Sequence, residues 1–360
     1  MSQGHVGYRL DCSQRFALGG KMDILLILVL GLTLAAELVN GWTDAPNAIA
    51  TVVSTRVMSL RAAVIMAVCM NTLGALTGTA VAETIGTGIV DPTLITLPVI
   101  AAALISIIVW GTVAARFGLP TSETHALVAG LAGAGLAVAG PEALLLSGWI
   151  KVAIGLLASS FLGFGMSYLV GKAIYLIGLR SNWLPGQARR TFDRLQILSA
   201  GLMAYNHGMN DGQKFIGVFT IALVIGGVLP SFQVLWWVAL LCAFVMGIGT
   251  SLGGKSIISM LGEKMTNIAS WQGFSAEVSS SAVIFASSLA GVPISSTHTI
   301  STSIMGVAAA RKMSAVRWFH AKKIVFAWGA TFPICGMIGY ATAWMLVKAL
   351  PVIQNLLSVF

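Results

Sequence analysis

The chain has 360 residues, of which 57% are apolar and only 9% charged, with a mean hydropathy of +0.89. A soluble domain carries roughly a quarter charged residues, so this composition excludes an ordinary soluble enzyme or binding module and describes a polytopic membrane protein. The net charge of +9 does not indicate nucleic acid, because the bases cluster in short loops between apolar spans, where they set orientation.

Residues 1–21 are polar, carry no signal-peptide cleavage pattern and read as an N-terminal tail. Met22 to Val39 is the first apolar stretch; it is interrupted by Asn40 to Asn47 (NGWTDAPN) and resumes from Ala48 to Val53, the two parts crossing once. Ala62 to Ala82 and Thr93 to Ala115 are each expected to cross. Leu119 to His125 (LPTSETH) then precedes a small-residue segment, Ala126 to Ala139, of about fourteen residues, which is too short for a core of roughly 30 Å and reads as a half-length helix. An apolar run bracketed by Lys151 and Lys172 completes a first transmembrane repeat over 22–179.

Residues 180–194 (RSNWLPGQARRTFDR) are the polar connecting loop, with Pro185-Gly186 as punctuation. The second repeat, 195–350, holds Asn206 to Lys214 (NHGMNDGQK) inside an apolar segment, a span from Phe232 to Leu252, and an arm from Phe274 to Leu289 that carries Glu277. Val292 to His298 (VPISSTH) leads to another short helix ending near Ala310, and Ile324 to Val347 is the last span; 351–360 is a C-terminal tail. Four cysteines, Cys12, Cys69, Cys242 and Cys335, show no CxxC spacing, so neither a disulfide framework nor a zinc site is indicated.

The order central motif, span, arm, Pro-x-Ser-x-Thr-His, half-helix, span therefore occurs twice. Gly41 aligns with Gly208, Thr43 with Asn210, Asp44 with Asp211 and Asn47 with Lys214. Arg56 and Arg61 follow the first central motif, whereas the equivalent link at Leu229 to Ser231 has no base; Pro141-Glu142 lacks a base where the equivalent second link holds five. Bases in short loops stay cytoplasmic, so equivalent loops fall on opposite faces. The expected fold is thus an all-α polytopic membrane protein of two inverted-topology repeats, each with transmembrane helices and a helical hairpin holding a half-length helix, with both termini outside the cytoplasm.

Chemistry follows from the two motifs. In each Pro-x-Ser-x-Thr-His the proline cannot continue a preceding helix, and Ser or Thr caps the next, so free amides and the helix dipole face an oxyanion. Ser122, Thr124, Ser295 and Thr297 add hydroxyl donors without fixed charge. Asp44 and Asp211 have the wrong sign for an anion and need a proton or a cation such as Na⁺, which hard oxygens of Asn40, Asn47, Asn206 and Asn210 suit. The same residues also fit plain interhelical hydrogen bonding. His125 and His298 are pH-sensitive partners, metal ligands or packing residues; Lys214 pairs with Asp211 or reaches the anion; Glu277 is a proton-coupling candidate, and Glu37 and Glu123 are weaker ones.

At this point the chain resembles the PiT family of inorganic phosphate transporters. The family's G-x-N-D-x-x-N/K signature is similar to GMNDGQK at Gly208 to Lys214 and, more loosely, to GWTDAPN at Gly41 to Asn47, and its P-x-S-x-T-H segments to Pro120–His125 and Pro293–His298. The resemblance implies a symporter, driven by H⁺ or Na⁺, that takes up phosphate or a neutral metal-phosphate complex. It implies that Asp44, Asn47, Ser122, Thr124, Asn210, Asp211, Ser295 and Thr297 line the substrate and ion site, and Glu277 matches a functional glutamate of the family; with the residues' own chemistry added, the coupling-ion candidates are Asn40, Thr43, Asp44, Asn206, Asn210, Asp211 and Glu277. Thr43 stands where the family has Asn or His, and Pro46 where a small residue is usual. Sulfate permease on the same scaffold, passive anion channel and membrane-embedded metalloenzyme are the rival readings. The expected protein is no enzyme, holds no cofactor beyond the coupling ion and no structural metal, and meets phosphate and the lipid bilayer of the plasma membrane rather than nucleic acid; a homo-oligomer is left open.

Overall fold

The computed structural model describes residues 24–87, 94–180, 185–252 and 254–357, and among these every regular element is helical. The N-terminal tail lies outside the described residues. The first half comprises α1 (Ile24–Thr43), α2 (Pro46–Ser54), α3 (Leu60–Ala75), α4 (Ala80–Thr87), α5 (Leu97–Arg116), α6 (Glu123–Ala139) and α7 (Leu146–Arg180). The second comprises α8 (Pro185–His207), a π-helical turn (Gly208–Gly212), α9 (Gln213–Ile225), α10 (Trp236–Ser251), α11 (Lys255–Ser259), α12 (Ser270–Leu289), α13 (Ser296–Arg311) and α14 (Trp318–Leu357).

Five helical stretches among the described residues are long and apolar enough to cross a membrane: Ile24–Ser54, Leu97–Arg116, Glu123–Ala143, Leu146–Leu179 and Trp318–Val347. A sixth candidate pairs Trp236–Ser251 with Lys255–Lys264 across a 65° bend. Several expected boundaries move. The span expected over 62–82 is cut after Ala75, because Leu76 to Thr79 (LTGT) leaves the helix at Gly78, whose φ is +85°, and α4 starts afresh. The expected half-length helix of 126–139 gains its first turn from the motif itself and runs 17 residues, with Gly140 at φ +73° ending it; its second-half equivalent runs 16. The connecting loop is shorter than expected: α8 begins at Pro185, a residue suited to the first helical turn, where no N–H is needed. The C-terminal tail expected from 351 is helical to Leu357.

The two halves pack by exchange. The helix α10 lies on α1 as α3 lies on α8, α1 meets α5 as α8 meets α12, and α14 lies on α6 as α7 lies on α13. Glycines set how closely the first of these pairs approach. A Cβ on Gly41 would sit 2.3 Å from the Met246 carbonyl oxygen, and one on Gly249 2.2 Å from that of Leu38. At the equivalent crossing, Gly208 and Gly74 would meet the carbonyl oxygens of Asn71 and Tyr205 at 2.1 and 1.9 Å. Both central motifs are thereby pressed against a backbone; Asp44 and Asp211 lie toward each other between the halves, whereas His207 Nδ1 and Gln213 Nε2 turn back to Asn71 Oδ1 at 3.1 Å and the Thr77 carbonyl at 2.7 Å.

Candidate functional site

The two central motifs interrupt their helices by different means. Pro46 has no N–H to offer the turn before it, so α1 stops at Thr43 and α2 starts at Pro46, with Asp44 and Ala45 between them. Its second-half equivalent is Gln213, which keeps its N–H, and there the chain stays helical but widens into the π turn Gly208–Gly212 that contains Asn210 and Asp211. Both devices leave a buried aspartate on an irregular piece of backbone: Asp44 and Asp211 are 1% and 0% exposed.

The Pro-x-Ser-x-Thr-His motifs form the N-termini of α6 and α13, and these tips touch. Thr124 Oγ1 donates to the Ile294 carbonyl at 3.1 Å and Thr297 Oγ1 lies 3.2 Å from that of Thr121, a reciprocal pair of contacts. Beyond the tips the bodies diverge, α6 along α14 and α13 along α7. Ser122 and Ser295 are the N-caps, accepting from the backbone N–H of His125 and His298 at 3.4 and 3.1 Å. A capping hydroxyl accepts with a lone pair and keeps its proton, so each remains a donor toward an anion.

Each tip meets the central motifs directly. The Thr297 hydroxyl donates to Asp44, and Asn47 Nδ2 bridges Asp44 and Thr297 Oγ1, the latter at 3.0 Å. Lys214 pairs with Asp211 and also donates to Thr124 Oγ1 and, at 3.3 Å, to the Ile294 carbonyl. Asp211 further accepts from the Ser296 hydroxyl and from Asn210 Nδ2 at 3.1 Å, while His207 Nε2 lies 3.1 Å from its Oδ2. One ligand atom each of Asp44, His207 and Asp211 lies within 4.8 Å of the others, so the aspartates of the two halves share one centre. Hydroxyls and amides at two helix starts can hold an oxyanion there, and the carboxylates beside them can hold a cation.

Other expected residues fall around this centre. Thr43 Oγ1 donates to Glu123 Oε1 at 2.9 Å, and Asn40 Nδ2 to Glu37 Oε2 at 3.1 Å. Asn206 Nδ2 reaches the Ser281 carbonyl at 3.3 Å. His125 and His298 meet each other edge to face with centroids 4.5 Å apart, and His298 stacks on Trp328 at 3.6 Å, which places both rings behind the tips among α7 and α14. Glu277 stands apart from the aspartates in a polar cluster of its own, accepting from Thr51, Ser199 and, at 3.4 Å, Gln196 Nε2.

His207, Ser296, Thr51, Gln196 and Ser199 were not among the sequence candidates. For His207 a signal exists, since it lies four residues before Asp211 and so on the same helical face. Ser296 is masked by its neighbour Ser295, which the capping pattern selects. The cluster around Glu277 joins α2, α8 and α12, which are distant in sequence, and leaves no local pattern.

Comparison with known proteins fits this geometry. Residues 40–339 match the model of the Phosphate transporter family. The chain is 41% identical over 316 residues to a protein of Rhizobium meliloti (strain 1021) named "Probable low-affinity inorganic phosphate transporter", covering 87% of this chain and 94% of that one. A Bacillus subtilis (strain 168) protein of the same name is 39% identical over 324 residues, covering 88% and 97%. Among solved structures, "The sodium-dependent phosphate transporter" superposes with a TM-score of 0.81 at 22% identity, over 91% of this chain and all of that one, and so shares the fold. With both signatures and both helix tips inside the matched region, the chain belongs to the phosphate transporter family.

Proposed function

We propose that this protein imports inorganic phosphate across the plasma membrane by symport with H⁺ or Na⁺. The observation that carries the reading is the shared centre, in which Asp44 and Asp211 of the two halves meet the N-termini of α6 and α13. Helix-start amides and the hydroxyls of Ser122, Thr124, Ser295 and Thr297 hold the phosphate oxygens, and Lys214 supplies the one ammonium of the centre. Two carboxylates against one ammonium would repel an arriving anion, so a cation must enter with it. The side-chain oxygens of Asn47, Asn206 and Asn210 are buried with no donor facing them, which is the condition a cation with hard oxygen ligands relieves. Inverted repeats would bring the tips together near the bilayer midplane and let the halves rock about them, with the basic loops and the 180–194 connection cytoplasmic and both termini outside.

The names of the relatives support phosphate and give the sulfate reading no support. The sodium in the name of the matched structure supports cation coupling, and a chain similar to transporters along nearly its whole length supports a carrier rather than an enzyme. The test is uptake of labelled phosphate into proteoliposomes with H⁺ and Na⁺ gradients imposed separately, in the presence and absence of Mg²⁺, and against excess sulfate. Accumulation that requires one of the gradients and survives sulfate is expected; a Mg²⁺ requirement identifies a metal-phosphate complex as the species moved. Downhill flux indifferent to both gradients would replace the symporter with a channel.

A further inference from the structure

Each tip is backed by the last long helix of the opposite half, α6 by α14 and α13 by α7. Pro120 lies two residues ahead of the N-cap Ser122, so its carbonyl stands outside the hydrogen-bond ladder of α6 and has to find a donor elsewhere. Trp328 of α14 supplies one: its indole Nε1–H donates to the Pro120 oxygen at 3.0 Å. The same ring lies on His298, the third residue of α13, with centroids 3.6 Å apart. One buried side chain thus touches the approach to the α6 tip and the first turn of α13 together. Phe332, one turn further along α14, lies against the ring of His125 at 4.9 Å. In the other half the place of Trp328 is taken by Gly155 of α7, which comes so near that a Cβ on it would lie 3.1 Å from the carbonyl oxygen of Pro293, the equivalent proline.

Donors on both tips can share one phosphate only if the two helix starts stand at a fixed separation, and a start that has to be brought into place on binding subtracts that cost from affinity. We propose that Trp328 and Gly155 are positioning residues for phosphate: by seating the carbonyls of Pro120 and Pro293 they fix the tips of α6 and α13 relative to each other before the anion arrives. The proposal rests on the phosphate reading. Trp328→Phe keeps a ring on His298 and deletes the N–H, so the Pro120 carbonyl loses its donor and α6 starts from a lead-in that is no longer held. Gly155→Ala deletes no bond. Its methyl would meet Val292, Pro293 and Ile294 at 3.1–3.4 Å, so the lead-in to α13 must give by a few tenths of an ångström.

The test is the initial rate of labelled-phosphate uptake by the full-length protein in proteoliposomes, measured over a range of phosphate concentrations under the gradient that drives the wild type. Trp328→Phe should raise the half-saturation concentration by about three- to tenfold, the effect of one lost hydrogen bond, and leave the maximal rate per folded transporter unchanged. Gly155→Ala should raise it as well, again without a change in maximal rate. The control is Trp110→Phe, which deletes the indole bond from α5 to Thr331 Oγ1 of α14 at 2.8 Å, a bond that involves neither lead-in. It loosens the same helix and should leave the half-saturation concentration at the wild-type value. An unchanged value in Trp328→Phe, an equal rise in Trp110→Phe, or a fall in maximal rate alone overturns the proposal while leaving phosphate transport intact; an unchanged value in Gly155→Ala removes Gly155 from the role. Where Trp328→Phe yields no folded protein, Gly155→Ala decides the proposal by the same criteria. A wild type that takes up no phosphate overturns the phosphate reading and this proposal with it.

Discussion

Asp211 gathers more partners than any other side chain in the centre: Lys214, Ser296, Asn210 and His207 all face its carboxylate. Its loss therefore has two separable effects. Asp211→Asn should abolish gradient-driven phosphate uptake. It should also destabilise the fold, because Lys214 is left buried and unpaired, a penalty of about 3–5 kcal/mol for one member of a buried ion pair. The double variant Asp211→Asn, Lys214→Met removes the stranded charge and should recover much of the melting temperature in detergent without recovering uptake. Recovery of both would show that the pair is structural. At this scale the aspartates were legible because a charged residue within an apolar run has few uses. The partners were less so: His207 shares a helix face with Asp211, whereas Ser199 and Thr51 reach Glu277 only through the tertiary fold.

The elements that position these side chains are two helix starts and two glycine crossings. Ser295→Ala removes the N-cap of α13 and one hydroxyl at the tip, so it should cost about 0.5–2 kcal/mol of stability. It should also raise the half-saturation concentration for phosphate, read from uptake kinetics; an unchanged value would confine Ser295 to capping. Gly74→Ala places a methyl 1.9 Å from the Tyr205 carbonyl and must force α3 from α8 beside the π turn, whereas Gly31→Ala meets nothing within 4 Å. Gly74→Ala should lower the yield of folded protein on size-exclusion chromatography, and Gly31→Ala should not. Both tips and both aspartates could be found in the sequence, because proline, capping serine and intramembrane charge are local signals. The π turn could not, since it differs from the break at Asp44 by whether residue 46 or its equivalent, Gln213, keeps an N–H and by how the neighbours fill the widened turn. Nor could the cut after Ala75, where a single glycine at positive φ ends a helix that apolar composition would continue.

Across the whole molecule, the repeated order of motifs announced two equivalent halves, and the packing repeats it pair by pair: α10 on α1 as α3 on α8, and α14 on α6 as α7 on α13. The equivalence is broken at chosen places, with Asn47 opposite Lys214, Thr43 opposite Asn210 and Glu123 opposite Ser296, so the chemistry is asymmetric on a symmetric frame. Whether the halves are inverted across the bilayer depends on loop charge. If the bases of Arg56 to Arg61 and of Arg311 to Lys323 are cytoplasmic, Ser59 and Lys312 face the cytoplasm, and their equivalents Ser231 and Glu142 face outward. All four are exposed and lie at helix ends or in links; Ser59 caps α3 by accepting from the Ala62 N–H at 3.3 Å, a bond that a cysteine there weakens. Single cysteines at these positions, in a chain with its native cysteines replaced by serine or alanine, should react with an impermeant maleimide from opposite sides. Positions 142 and 231 should label in whole cells, and 59 and 312 only in inside-out vesicles. Labelling of 59 and 231 from the same side would relate the halves by an axis along the membrane normal. The tips of α6 and α13 would then enter from one face, and a site reached alternately from both sides would lose its structural basis.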